Sequence, residues 1–123
     1  MIYQLLTENS LRELPENKLR EPIMNEFLPS DFHLGQNYPN PFRERTIIKY
    51  CIPYKTKVQM KIYNTEGRLI RTLVDEEKDP GTYEVEFHPC DREGLLKEGC
   101  YYYCLVAGNY SNEKEMILGN EIP

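Results

Sequence analysis

Gln36-Asn37-Tyr38-Pro39-Asn40-Pro41-Phe42 is the stretch from which the fold is read. Proline fixes its own φ and restrains the residue before it to extended backbone, so two prolines spaced by one residue exclude a helix and predict a stiff, kinked lead-in. Asn37 and Asn40 can bond their own backbone as Asx-turns, and the rings of Tyr38 and Phe42 are expected to anchor the corner. The structure it leads into begins at Thr46.

From Thr46 onward apolar residues recur with period two. Ile48, Tyr50 and Ile52 alternate with Ile47, Lys49 and Cys51, and Val58, Met60 and Ile62 alternate with Gln59, Lys61 and Tyr63, which predicts two half-buried strands. Asn64-Thr65-Glu66-Gly67 is a turn with glycine where φ is positive, leading to a strand over residues 69–74. Asp79-Pro80-Gly81 is the next turn, after which Tyr83, Val85 and Phe87 alternate with Glu84 and Glu86. A loop over residues 88–99 leads to a strand over residues 100–106 that is apolar on both faces and therefore central, or covered on one side. Gly108-Asn109 turns into a last strand over residues 112–118. Six or seven short strands joined by Gly, Pro and Asn turns make an antiparallel β-sandwich.

These residues resemble a known family. The stretch 36–42, with Phe32-His33-Leu34 before it and residues 46–53 after it, is similar to the C-terminal sorting domain of the type IX (Por) secretion system, itself similar to immunoglobulin-like domains of flagellar hook-assembly proteins. The likeness continues through Ile62-Tyr63-Asn64-Thr65-Glu66-Gly67-Arg68, Leu73-Val74, Gly81, residues 99–103, Ala107-Gly108 and Met116-Ile117-Leu118. It implies an immunoglobulin-like sandwich of about seven strands, here over residues 31–118; residues 1–30, read from their own composition as an extended or partly helical arm, precede it and a tail at 119–123 follows. It also implies a module that a secretion translocon recognises on its cargo, often removing it at the cell surface. Gln36, Asn37, Pro39, Pro41 and the last strand near Lys114 and Met116 would then be among the recognition elements.

The formal net charge of −5 and the absence of a cationic run argue against a nucleic-acid partner. No apolar run approaches the roughly 18 residues of a membrane span, and the first residues lack a basic and apolar leader pattern, so export by a leader is not expected. On one strand Cys100 and Cys104 would stand about 13 Å apart at roughly 3.3 Å per residue, beyond disulfide reach. Cys51 could meet either across strands, but free thiols in a reducing compartment are the plainer expectation.

The first thirty residues read differently. Pro15, Pro22 and Pro29 recur every seven residues and break any long helix, leaving at most a short one over residues 2–14. Ile2, Leu5, Leu6, Ile23, Met24, Phe27 and Leu28 supply the apolar positions by which such an arm would be held, either on its own domain or docked on a partner protein.

No cluster of side chains carries chemistry. Ser30, Asp31 and His33 are too close in sequence for triad geometry, and His88, Cys90 and Asp91 lack the further ligands of a closed metal site. Asp75-Glu76-Glu77 and Asp91-Arg92-Glu93-Gly94 lack the alternating oxygen spacing of a calcium loop and read as solvated acidic turns. Asn109-Tyr110-Ser111 matches a glycosylation sequon, a pattern common by chance.

Ten tyrosines and no tryptophan give the chain its aromatic character. Alternation places Tyr101 and Tyr103 in the core with hydroxyls reaching the edge, and Tyr102 outward, flanked by Cys100 and Cys104 and, if their strands share a sheet, together with Tyr63. That outward face is a candidate interaction surface.

The expected function is non-catalytic, without cofactor or metal. The reading favoured by the sequence is an adaptor or accessory subunit, cytoplasmic or peripheral on the inner membrane. It would bind protein subunits of a larger assembly such as a green sulfur bacterial photosynthetic reaction centre, an analogy rather than a residue-level argument. The alternative is a type IX sorting signal, exported to the cell surface as part of a secreted cargo.

Overall fold

The structure, a computed structural model, describes residues 28–91 and 94–119. The chain forms β1 (His33–Leu34), β2 (Thr46–Ile52), β3 (Thr56–Tyr63), β4 (Leu69–Lys78), β5 (Gly81–Phe87), β6 (Cys90–Asp91), β7 (Gly94–Leu95), β8 (Gly99–Ala107) and β9 (Tyr110–Leu118). Seven of these build two antiparallel sheets, in the orders β1-β2-β5 and β4-β3-β8-β9, and β6 pairs with β7 as a small hairpin. The result is the expected immunoglobulin-like β-sandwich.

Period two in the sequence becomes the core directly. Ile48, Tyr50 and Ile52 of β2 face Val58, Met60 and Ile62 of β3 across the layer, with Tyr103 and Leu105 of β8, Met116 of β9 and Phe87 of β5 filling the space between. Each of these side chains is almost wholly removed from water, a gain of about 1.5–3 kcal/mol apiece for residues of this size. Ile47, Lys49, Lys61 and Glu113 take the outer faces.

The turn from β3 to β4 follows its sequence closely. Asn64 Oδ1 accepts from the N–H groups of Glu66 and Arg68, each at 2.9 Å, and Gly67 adopts φ 83°, where a side chain would be strained.

Two expectations need correction. The strand after this turn does not end at Val74 but runs to Lys78, pairing from Met60↔Val74 to Thr56↔Lys78. Asp75-Glu76-Glu77 is therefore edge strand, not an acidic turn. Its charges reach solvent, with Asp75 3.4 Å from the Lys57 ammonium and accepting from Gln59 Nε2 at 3.2 Å. The segment 88–99 is likewise more than a loop. Within it Cys90–Asp91 and Gly94–Leu95 pair as β6 and β7, and Arg71 donates to the carbonyl of His88 at 2.5 Å and to that of Cys90, its guanidinium lying 5.0 Å from the Phe87 ring centroid.

β8 lies between β3 and β9, which makes it central as its two apolar faces predict. Val58↔Ala107 through Tyr63↔Tyr102 on one side and Gly99↔Leu118 through Ala107↔Tyr110 on the other fix its register.

Candidate functional site

Residues 36–42 stand at one side of the sandwich and touch both sheets. Tyr38 and Ile47 exchange backbone hydrogen bonds at 2.9 Å each, which attaches the stretch to β2. Four residues later Phe42 N–H donates to the Ile117 carbonyl at 2.9 Å, and Gly119 N–H donates to the Phe42 carbonyl at 2.7 Å, which attaches it to the opposite sheet. Side chains extend the same join. Gln36 Nε2 donates to the Glu115 carbonyl at 2.8 Å and Ile117 N–H donates to Asn40 Oδ1 at 2.8 Å. The lead-in thus satisfies the outer edge of β9 over residues 115–119, which would otherwise present unpaired backbone groups.

Asn37 is the buried centre of this join, 2% exposed. Its backbone N–H donates to the Tyr103 hydroxyl at 2.8 Å, and that hydroxyl donates to the Gly35 carbonyl at 2.7 Å. Its amide donates to Thr46 Oγ1 at 3.0 Å and to the Pro39 carbonyl at 3.2 Å, while Thr46 Oγ1 donates to the same carbonyl at 2.8 Å. Burial pushes the Tyr103 phenol up to about 12, the Asn37 N–H pulling the other way, so the hydroxyl stays a neutral donor. The sequence placed Tyr103 in the core but with its hydroxyl at the edge. Thr46 carried no signal beyond its position as the first residue of β2.

The motif's aromatic residues part company. Phe42 is the expected anchor, 2% exposed and edge-to-face with Phe87 at 6.0 Å between centroids. Tyr38 is not, being 79% exposed. Asn37 takes the inward direction, and its neighbour in an extended chain must then face out. Shallow clefts flank the Tyr38 ring, one lined by Pro39, Arg43, Arg45 and Ile47, the other by Gln36, Ile47, Lys49 and Glu84. Of the residues expected to be read by a partner, Asn37 and Met116 are buried, Gln36 is exposed with its amide engaged, Pro41 and Lys114 are half-buried, and Pro39 is exposed. Gly67 and Arg68 lie in the β3–β4 turn, well apart in sequence from the lead-in.

The outer face of the four-strand sheet holds the second candidate surface. Tyr63 and Tyr102 are register partners and line one hollow with Cys104 and Glu113 on the outer face of the four-strand sheet. Cys100 donates to Glu115 Oε2 at 2.6 Å, and that bond, with burial adding to it, raises its thiol above the usual range. Cys51 does not meet Cys100 or Cys104, because it alternates with the buried Tyr50 and Ile52 and so lies on the outer face of its sheet, while they lie on the outer face of the other. Leu28 is exposed, whereas Ile2, Leu5, Leu6, Ile23, Met24 and Phe27 lie outside the described residues. His33 is in β1, Ser30 and Asp31 are exposed, and His88 Nε2 lies 3.2 Å from Glu86 Oε1.

Comparison with known proteins identifies the pattern. The solved structure of dimeric latent PorU from Porphyromonas gingivalis is similar over 76% of this chain and 10% of that one, with a TM-score of 0.56 and 19% sequence identity, which speaks to the fold alone. The chain thus spans about a tenth of the length of PorU. No curated protein matches. The model of the secretion system C-terminal sorting domain family matches residues 36–119, beginning at Gln36 and ending at the Gly119 that bonds Phe42. A domain of this kind marks an exported protein handled by the secretion system, which overturns the expected cytoplasmic location. Nothing found supports the accessory subunit of a photosynthetic complex. With well over half its length matched, the chain belongs to the secretion system C-terminal sorting domain family.

Proposed function

We propose that the β-sandwich is a sorting signal read in its folded form by the translocon of a type IX secretion system, and that it acts by binding, not by chemistry. The observation that supports this reading is how residues 36–42 are used. Asn37 and Phe42 are consumed in joining the two sheets, so the family motif works by holding a surface in place. A linear peptide signal would need those side chains free. What the folded domain offers a partner is the rim around Tyr38 and the rigid sheet faces beside it.

The test is to fuse the full chain behind a periplasm-directed reporter enzyme in a bacterium that has a type IX system. Reporter activity at the cell surface or in the medium is the expected result, falling to background in a strain without the translocon. Reporter retained in the periplasm of the intact strain would overturn the proposal. Phe42→Ala, which unfolds the join, should lower export together with stability.

A further inference from the structure

The geometry points to the outer edge of β5 (Gly81–Phe87) as a docking site for an extended strand from another protein, one that alternates apolar and basic side chains. β9 is covered at its C-terminal half by residues 36–42, and β2 is covered by β1 and by the Tyr38–Ile47 bridge. β4 is an edge, but its pairing with β3 is interrupted by two register shifts, and its last four residues are Asp75, Glu76, Glu77 and Lys78. Irregularity and charge of that kind are what discourage edge pairing.

β5 lacks the irregularity, although it too carries two exposed carboxylates, Glu84 and Glu86. It pairs with β2 over all seven residues without a shift, contains no proline or lysine, and has no backbone partner on its other side among the described residues. An unbroken edge of this kind is a template for strand addition. The core beside it is also incompletely closed. Tyr83 and Val85 of β5, and Ile70 and Leu73 of β4, are all only partly buried, although they pack on the core. A strand added to β5 would cover them.

Charge selects the occupant. On the outer face β5 presents Thr82, Glu84 and Glu86, all exposed. In the full-length antiparallel register with a second copy Glu84 would stand against Glu84, and a shift centred on Val85 would set Glu84 against Glu86; like charges directly opposite destabilise a pair. Charge thus favours, over a second copy, a strand with Lys or Arg at alternate positions. Lys49 and Arg45 of the chain already show this preference from the other side, lying 3.5 Å from Glu84 and 3.1 Å from Glu86. Apolar side chains at the intervening positions would meet Tyr83 and Val85.

The test titrates the full-length protein with a nine-residue capped peptide alternating lysine and valine, and follows amide hydrogen exchange. Saturable binding with new protection confined to residues 81–87 is expected, and at least tenfold weaker binding to a Glu84→Lys/Glu86→Lys variant. That variant should instead prefer the matching peptide with glutamate in place of lysine. Because the exchange sets a lysine opposite Lys49 and another beside Arg45, its fold is checked by circular dichroism, and Glu84→Gln/Glu86→Gln, which should also bind the lysine peptide more weakly, stands in if it does not fold. The proposal is overturned by equal binding to both proteins, by protection elsewhere, or by no binding at millimolar peptide. It is overturned equally if residues 81–87 are already protected on both edges in the free chain, or if the protein dimerises through this strand. None of these outcomes touches export of the reporter, so the edge and the sorting function are judged separately.

Discussion

The backbone N–H of Asn37 donates to the Tyr103 hydroxyl at 2.8 Å, and this one bond joins the proline-rich lead-in to the central strand of the opposite sheet. Both residues are buried, and the same hydroxyl donates onward to the Gly35 carbonyl at 2.7 Å. Tyr103→Phe keeps the ring and removes only the oxygen. It leaves a buried N–H and a partly buried carbonyl without a partner, at a cost of about 2 kcal/mol. Urea unfolding should show the midpoint falling with an unchanged slope. Asn37→Ala, which removes the bonds to Thr46 and Pro39, should be less than additive with it because the two changes act on one network.

The same hydroxyl sets the alkaline limit of the fold. Burial raises the Tyr103 phenol from 10.0 to about 12 in the native state, and burial moves Tyr50 and Tyr101 in the same direction. A group whose native pKa lies above its unfolded value stabilises fully below the unfolded value and loses that contribution as pH rises through the native one. The Tyr103 contribution, of order 2–3 kcal/mol, is therefore constant up to about pH 10 and disappears between about pH 10 and 12. Circular dichroism across that range should show unfolding coincident with tyrosinate absorbance. In Tyr103→Phe the loss should be shallower, because the largest of the three contributions is gone.

Phe42 and Tyr38 belong to one short motif but should respond oppositely to truncation. Phe42→Ala empties a site in the core beside Phe87 and should cost about 3–5 kcal/mol. Tyr38→Ala removes an exposed ring and should change stability by no more than about 0.5 kcal/mol. Thermal melts of the two variants check this directly. A large loss in Tyr38→Ala would mean that the ring anchors the corner after all.

How much of this was legible before the structure differs from element to element, for physical reasons. Ile48, Tyr50, Ile52, Val58, Met60 and Ile62 were readable because a sheet with one face on a core must alternate, and nothing else in the chain competes with that pattern. The inward or outward choice at Tyr38 was not readable. Its ring suits a core, but its direction is set by the bridge to Ile47, a non-local pairing. The length of β4 was hidden because Asp75-Glu76-Glu77 has the composition of a turn, and only an edge position lets such residues stay in a strand. Tyr63 and Tyr102 could be placed on one face only on the condition that their strands shared a sheet, and the β3–β8 pairing supplies that condition. The cytoplasmic expectation rested on free thiols and the character of the first residues, neither of which reports on how a sorting domain is handled.

The thiols offer a last check, on the outer faces themselves. Cys90 is exposed, whereas Cys100 and Cys104 are half-buried on β8. The bond from Cys100 to Glu115 holds its proton, and burial does the same for Cys104, so both thiols are raised above their ordinary value. Because the thiolate is the reacting species, a higher pKa lowers the reactive fraction at neutral pH. Alkylation of the native protein with iodoacetamide, read by peptide mass mapping, should therefore label Cys90 first and Cys100 and Cys104 several-fold more slowly. Glu115→Gln removes the carboxylate that holds the Cys100 proton and should speed labelling of Cys100 while leaving Cys104 nearly unchanged. If both cysteines sped up together, loosening of the β8–β9 pairing would be the cause rather than the thiol–carboxylate bond.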